Sequence, residues 1–452
     1  MSGRKLFGTD GIRGKANVYP MTGEVAMALG RAVASYFQSN SKKRPLIIIG
    51  KDTRRSCYML EQAIAAGVLS QGGRAIFTGP LPTPGVAFVT TSMRADAGIM
   101  ISASHNNFED NGIKIFDRNG HKLPDEVELE LESLILNPEL LSARVGAELG
   151  SAKRLDESVG RYIVQTKNTL ARDISLEGMR VVLDCANGAA YKIAPMIFQE
   201  LGAEVIALGV QPNGLNINQE CGALHPEHCA ENVVKYRADL GICLDGDADR
   251  LIVVDEKGQV VGGDNLLGVL AKLLLKKNEL IEGDEIVGTI MTNLGLENYI
   301  KKLGLKFYRS KVGDRYIIER MRSKGSSFGG EPSGHLIFHA YSTTGDGLLA
   351  ALKVIEAIKF FKKNISELSQ EVKLYPQYLK NVNVSKKIPF NEVKAINDAL
   401  GSAKKELGDK GRVVLRYSGT EPLARVMIEG ENETLVLKLV DSLVEVVKKS
   451  LA

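Results

Sequence analysis

No apolar run in this 452-residue chain reaches the roughly 18 residues that a membrane-spanning helix requires, and no apolar signal core follows the opening Met-Ser-Gly-Arg-Lys-Leu-Phe-Gly-Thr-Asp. The expected location is the cytoplasm, with no membrane partner. A strong charge of either sign is also missing: 58 basic residues face 54 acidic ones for a net charge of +4, and the lysines are spread out, with short clusters near Lys276 and Lys362. Nucleic acid is therefore not an expected partner, because backbone binding needs a concentrated basic face. Cysteine is scarce and unpatterned. Cys57, Cys185, Cys221, Cys229 and Cys243 include no C-x-x-C pair and sit mostly in apolar contexts, which reads as reduced structural thiols. Cys221, His225, His228 and Cys229 fit no common structural-zinc spacing. Neither G-x-G-x-x-G nor a Walker A segment occurs, so dinucleotide binding and ATP hydrolysis lose their usual sequence support.

What is present is a globular composition, 44% hydrophobic and 25% charged, on a chain long enough for three or four cores. Ile/Val-rich strand-like runs alternate with helical stretches in at least three blocks, the pattern of α/β layers. The first block reads as a strand at 45–50, an Ala-rich helix from about Met59, a strand at 74–78, a Pro-rich turn at 79–84 and a strand ending at Ser104. The second has strands at 179–184 and 204–208 around a helix near 193–201, a βαβ unit. The third repeats this with strands at 285–291 and 305–309 around a helix at 296–303. From Asn391 the pattern changes to helix, strand 412–417, loop, strand 424–429 and a long amphipathic helix. The expected boundaries give domains 1–155, 156–257, 258–372 and 373–452.

Two apolar runs end in chemistry. Ile99-Met-Ile-Ser-Ala-Ser104-His105-Asn106-Asn107 presents a hydroxyl beside an imidazole. Leu240-Gly-Ile-Cys-Leu ends in Asp245-Gly-Asp247-Ala-Asp249-Arg250, three carboxylates within five residues. Such a cluster repels itself unless a cation or donors neutralise it, and oxygen-only ligands suit a hard ion such as magnesium. Alternation at i, i+2 and i+4 would point all three the same way from an extended segment. A calcium loop fits poorly, because its sixth position is Arg250 rather than glycine and 251–254 reads as a strand. A phosphate on Ser104 would suit the ion, backbone amides and Lys114, which a tight turn at Asn111-Gly112 could return to the loop. Gly329-Gly330-Glu331-Pro332-Ser333-Gly334-His335 joins two short strands and offers groups that read hydroxyls. Arg416-Tyr-Ser418-Gly419-Thr420-Glu-Pro, with Arg425 beyond it, has the composition of a phosphate cradle. Phe7-Gly-Thr-Asp-Gly-Ile-Arg13-Gly is glycine-rich, with Arg13 able to reach an anion.

In set and order these five segments resemble the α-D-phosphohexomutase superfamily, and within it the bacterial phosphoglucosamine mutases, over essentially the whole chain. The resemblance implies three similar α/β/α mixed-sheet domains plus a C-terminal α+β domain, each lending a loop to a central cleft. It implies an isomerase that interconverts glucosamine 6-phosphate and glucosamine 1-phosphate, on the route to UDP-N-acetylglucosamine and cell-wall precursors. Ser104 would be the phosphoserine. One Mg2+ would sit on Asp245, Asp247, Asp249 and the Ser104 phosphate, and glucosamine 1,6-bisphosphate would be intermediate and activator. Arg13, His105, Lys114 and His335 would surround the transferring group. Glu331 and Ser333 would read sugar hydroxyls, while Arg416, Ser418, Gly419, Thr420 and Arg425 would hold the non-reacting phosphate. The partner would be a small sugar phosphate, and the protein a monomer or homodimer. Two positions depart from the family pattern: Asn107 stands where proline is usual, and Pro332 where glutamine is usual. The second lies in the sugar-reading loop, so glucose or mannose phosphates stay open as substrates, as does a non-catalytic metal-binding scaffold.

Overall fold

The structure, a computed structural model, describes residues 5–8, 10–39, 43–142, 144–418 and 422–451. Among the described residues, no helix is long and apolar enough to cross a membrane. Four sheets organise the chain. The first runs Phe7–Gly8, Gly11–Lys15, Asp110–Asp117, Ala97–Ile101, Leu46–Lys51, Arg74–Pro80, Ser151–Arg154 in spatial order. Its centre shows why the sequence reads as unbroken apolar runs: Ile47 and Ile49 enter one core and Ile48 the other, so both faces of the strand are covered by helices. The second sheet orders Val260–Val261, Leu251–Val254, Leu240–Leu244, Arg180–Asp184 and Glu204–Leu208, and the third Lys306–Ser310, Glu285–Thr289, Phe328–Gly330 and Leu336–Phe338. The fourth is antiparallel, with Leu423–Gly430 between Gln377–Asn383 and Gly411–Tyr417, and it packs on the helices Lys394–Leu407 and Glu433–Leu451. Three α/β layers and one α+β layer are what the strand and helix patterns lead one to expect; those patterns suggest largely parallel sheets, whereas all three contain antiparallel pairs, as the resemblance implies.

Several local readings change. The Ala-rich helix begins at Arg55, a turn before Met59. The Pro-rich turn leads directly into a further helix, Thr83–Ser92, which the sequence reading passes over; Pro84 sits in its first turn, where no amide hydrogen is needed. Asn111-Gly112 is not a tight turn but part of the strand Asp110–Asp117, whose antiparallel register places Lys114 opposite Met100. Gln377–Asn383 also escapes sequence reading, because as an edge strand it is mostly polar and exposed.

The strand ends position the chemistry. Leu46–Lys51 and Ala97–Ile101 are parallel, as are Arg180–Asp184 and Leu240–Leu244, so Ser104 and Asp245 both follow the carboxyl ends of parallel strands, where open α/β sheets bind ligands. The fourth sheet meets the third through Arg412, which donates to Ile290 O at 2.7 Å and Thr292 O at 2.6 Å and pairs with Glu429. Glu429 is fully buried and also accepts from Leu294 N and Gln377 Nε2. Arg412→Ala leaves that carboxylate without its cation. We expect it to destabilise the C-terminal domain by about 2–3 kcal/mol, below the range for a fully buried pair because Arg412 keeps some solvent. Calorimetry should resolve a lower-melting transition, and an unchanged profile would show that the joint does not need the ion pair.

Candidate active site

Ser104 caps the turn after Ala97–Ile101, and its Oγ donates to Asp245 Oδ2 at 2.6 Å. The contact joins the first and second sheets. Its backbone is left-handed, with φ +52°, a conformation that costs a residue with a β-carbon about 1–2 kcal/mol. Ser104 N donates to Ser102 Oγ, and His105 Nδ1 lies 3.3 Å from Ser104 Oγ. Burial, with Arg250 and Arg13 nearby, pushes the His105 pKa down to about 4, so its ring is neutral at pH 7.

Asp245, Asp247 and Asp249 are all buried, and one carboxylate oxygen from each lies within 4.8 Å of the others. Extended alternation does not bring them together. Residues 245–250 form a turn in which Ala248 is left-handed, φ +56°, and Ala248 N donates back to Asp245 O. Gly246 has no substitute here, since a β-carbon would stand 2.6 Å from Ser104 O. Thr83 Oγ1 donates to Asp247 Oδ2 at 2.6 Å, and Lys114 Nζ lies 2.8 Å from the same oxygen and 3.4 Å from Asp249 Oδ2. Burial works against the Lys114 charge, but Asp10, Asp247 and Asp249 together raise its pKa above the usual lysine value. Burial also opposes ionisation of Asp249, yet Lys114 and His335 hold that carboxyl well below the usual range. Asp245 is the opposite case: burial, then Asp249 and Asp247, push it up to about 8.

A cleft of about 320 Å³ opens over these groups. Asp10, Arg13 and Ser104 line it from the first domain, Asp249 and Arg250 from the second, and Asp314, Glu331 and His335 from the third. Asp10 pairs with Arg13 and Lys122, and Lys122 reaches across to Asp314 at 2.6 Å. His335 stands between Asp249, 3.6 Å from Nδ1, and Asp314, 3.5 Å from Nε2. Burial disfavours its charge, but those carboxylates raise its pKa to about 9. Gly345 N–H points at Nε2 from 3.2 Å, a contact that only a lone pair there can accept, so it opposes the carboxylates. Glu331 Oε1 accepts from Gly313 N, and Ser333 Oγ, in the same hairpin, is buried with no hydrogen-bond partner. A smaller cavity of about 200 Å³, lined in part by Phe88, Tyr162 and Asp346, contains none of these groups.

The fourth domain's residues are not brought into this cleft. Arg416 and Arg425 face each other as register partners on adjacent strands, and Ser418 O accepts from Lys387 Nζ at 2.7 Å. Like charges directly opposite one another are unfavourable in a sheet unless an anion comes between them. Burial, with Arg425 beside it, lowers the Arg416 pKa, as that repulsion requires. Gly419 and Thr420 lie outside the described residues.

The comparisons with known proteins cover the whole of this architecture. Residues 4–141, 160–258 and 262–375 match the phosphoglucomutase/phosphomannomutase alpha/beta/alpha domains I, II and III, and 379–446 match the C-terminal domain of that family. The chain is 51% identical to a phosphoglucosamine mutase of Nitratidesulfovibrio vulgaris, over 99% of this chain and 100% of that protein. It is 52% identical to that of Desulfotalea psychrophila, over 99% of each. It belongs to the phosphoglucosamine mutase family of the phosphohexomutases. The fold is shared with a phosphoglucomutase/phosphomannomutase family protein of Burkholderia thailandensis, at TM-score 0.82 and 24% identity over 98% of this chain and 97% of that one. It is also shared with Aspergillus fumigatus N-acetylphosphoglucosamine mutase, crystallised with GlcNAc-6P and magnesium, at TM-score 0.69 and 19% identity over 99% and 96% of the two chains.

The acidic trio can hold a metal ion. Its donors are oxygens only, and Asp247 Oδ1 is buried with no hydrogen-bond partner, as a ligand atom awaiting a cation would be. Several residues of the site escape sequence reasoning. Thr83 and Asp314 meet their partners across domain boundaries, and Lys122 joins Asp10 of its own domain to Asp314 of the third, none of which a local pattern reveals; Asp10 alone sits inside the glycine-rich opening motif. The raised Asp245 gives the site a pH signature. A proton there competes with a cation, so affinity for a divalent ion should rise with pH, by about tenfold per unit for one displaced proton, and level off above about 8. Titration calorimetry with magnesium across that range checks it, and a flat profile would mean that Asp245 is already ionised.

Proposed function

We propose that the protein interconverts glucosamine 6-phosphate and glucosamine 1-phosphate, with Ser104 as the phosphoryl carrier and glucosamine 1,6-bisphosphate as the intermediate. The observation that carries this reading is the hydrogen bond from Ser104 Oγ to Asp245, which places a hydroxyl at the edge of a metal-competent carboxylate trio. Full-length similarity to phosphoglucosamine mutases supports the amino sugar as substrate.

In the forward step the phosphorus–oxygen bond to Ser104 breaks, and a new one forms to the free sugar hydroxyl. That hydroxyl loses its proton to a base and the Ser104 oxygen is left to be protonated. Lys114, held protonated by its aspartates, is suited to stabilise the leaving oxygen with its charge, and the proton that the sugar hydroxyl gives up is the one the Ser104 oxygen finally takes. His335, facing the cleft, is the nearest candidate to carry that proton, taking it up in the neutral form that the Gly345 N–H favours. A magnesium ion on Asp245, Asp247 and Asp249, when bound, supplies positive charge to the transferring group. Arg13 adds a guanidinium and Glu331 a carboxylate on the cleft wall, while Ser333, buried in the same hairpin as Glu331, would read a sugar hydroxyl only once its Oγ is uncovered. Arg416, Ser418, Thr420 and Arg425 hold the phosphate that is not reacting. The bisphosphate then turns end for end, and the return transfer rephosphorylates Ser104. Water competes with the sugar for the phosphoryl group, so closure of the fourth domain about a hinge near 372–378 favours transfer.

Ser104→Ala should lower mutase turnover by at least about a thousandfold, as loss of a nucleophile does, and should abolish a phosphoryl group that intact mass and peptide mapping locate on the wild-type residue. Isomerisation at an undiminished rate in this variant would end the proposal. Pro332 keeps a second substrate reading in play, and turnover on glucosamine, glucose and mannose 6-phosphates separates the two. Glucosamine 6-phosphate is expected to be the fastest; a lead for either neutral sugar would make this a phosphoglucomutase or phosphomannomutase.

A further inference from the structure

The left-handed backbone of Ser104 needs support from outside the residue, because the β-carbon works against it. Two side chains give it by gripping the same pair of carbonyls. Arg54 Nη2 donates to Ser104 O at 3.2 Å and also to Asn106 O. Asn218 Nδ2 donates to Ser104 O and to Asn106 O, each at 2.9 Å. Arg54 comes from the first domain, just before the helix Arg55–Ser70, and is fully buried with its charge met by Asp52. Its Nη1 also reaches Ser102 Oγ at 3.4 Å, the oxygen that accepts from Ser104 N. Asn218 comes from the second domain, is 4% exposed, and is itself left-handed at φ +57°. Arg54 Nη2 and Asn218 Nδ2 thus go to backbone oxygens of the turn, and neither donates to Ser104 Oγ or to the acidic trio.

We infer that Arg54 and Asn218 are positioning residues for phosphoryl transfer: a clamp from two domains that turns the Ser104 carbonyl inward, aims Oγ at Asp245, and makes that aim depend on the second domain's being docked. The inference rests on Ser104 being the phosphoryl carrier. Its physical content is specific. Pulling both carbonyls toward the interior fixes the direction of the Cα–Cβ bond at 104, and the transfer requires that direction to hold while the phosphoryl group leaves. Transfer geometry is steep in distance, with a displacement near 1 Å worth up to about a hundredfold in rate.

Asn218→Gly is the informative variant, since glycine accepts the positive φ and only the amide is lost. The expected result is a kcat lower by about tenfold to a hundredfold, a KM for glucosamine 6-phosphate within about twofold of wild type, an unchanged far-UV spectrum, and more inorganic phosphate released per turnover because a misaimed group meets water. Loss of kcat with KM retained is what an interaction made only in the transition state produces. Arg54→Lys, which keeps a charge opposite Asp52 but cannot fork between two carbonyls, should lose kcat in the same way. If Asn218→Gly folds poorly, Asn218→Asp keeps the shape, sets an oxygen against two carbonyl oxygens, and should lose at least as much kcat. A kcat within twofold of wild type in the folded variants, or a rise in KM alone, overturns the inference. Wild type and Ser104→Ala run in the same assay. Activity that survives Ser104→Ala brings down the carrier reading itself, whereas a normal Asn218→Gly beside a dead Ser104→Ala brings down the clamp alone.

Discussion

Three buried carboxylates within 4.8 Å of one another are the constraint on which this molecule is organised. Burial and mutual repulsion both oppose their ionisation, and the response is divided among the domains. The first domain sends Lys114 and Thr83 to Asp247, and Ser104 to Asp245. The third sends His335 to Asp249. The trio's own turn adds Arg250, whose amide donates to Asp245. No one domain neutralises the cluster alone, so the electrostatic requirement of the site also docks the domains that build it. Asp10 and Lys122 extend the same logic outward, linking Lys114 and Arg13 to Asp314 in the third domain.

The backbone around the trio is held out of its easy conformations. Ser104, Ala186, Asn187, Asn218, Glu220 and Ala248 all have positive φ, and three of them, Ala186, Asn187 and Ala248, lie in the loops directly beyond the strands Arg180–Asp184 and Leu240–Leu244. Such strain persists only where the surroundings over-determine it. Here the surroundings are parallel strands with covered faces, and amides that tie one loop to the next: Asn218 N to Ala186 O, Gly347 N to Ala248 O, Thr83 N to Asp247 O. A rigid scaffold carries strained loops, and the loops carry the functional groups.

How much of this is legible in the sequence depends on whether a residue acts through its neighbours in the chain. Ser104, the three aspartates and the 330–335 hairpin act as local units, so their spacing exposes them. The alternating strands and helices are legible for the same reason, with exceptions where a local cue points the wrong way. The prolines at 80, 82 and 84 read as a turn and hide the helix Thr83–Ser92, and the polar edge strand Gln377–Asn383 offers no apolar alternation. Asn111-Gly112 looks like a turn, yet both residues are fixed in a strand by pairing with Gly14 and Arg13. Thr83 is invisible for a deeper reason. Its partner Asp247 is 164 positions away, and nothing about a threonine after a proline announces a carboxylate from another domain.

The separation of the arginine pair from the cleft follows from the same electrostatics. Arg416 and Arg425 carry two positive charges on adjacent strands, and in contact with the trio they would satisfy the very carboxylates that must remain available to a cation. On a fourth domain they leave the trio alone, and the repulsion between them is of the kind an anion relieves. That domain is anchored at its far end, where Arg412 and Glu429 hold the 290–294 segment, while Arg416 and Arg425 sit at the other end of the same two strands. In register, Arg412 opposes Glu429 and Arg416 opposes Arg425, so one strand pair carries a matched charge couple at the joint and a mismatched one four residues away. The matched couple fixes where the domain is attached. The mismatched couple stands at the opposite end, where an anion would relieve the repulsion between two guanidiniums; on the proposed function, a sugar phosphate held there and in the cleft would draw the fourth domain and the first three together.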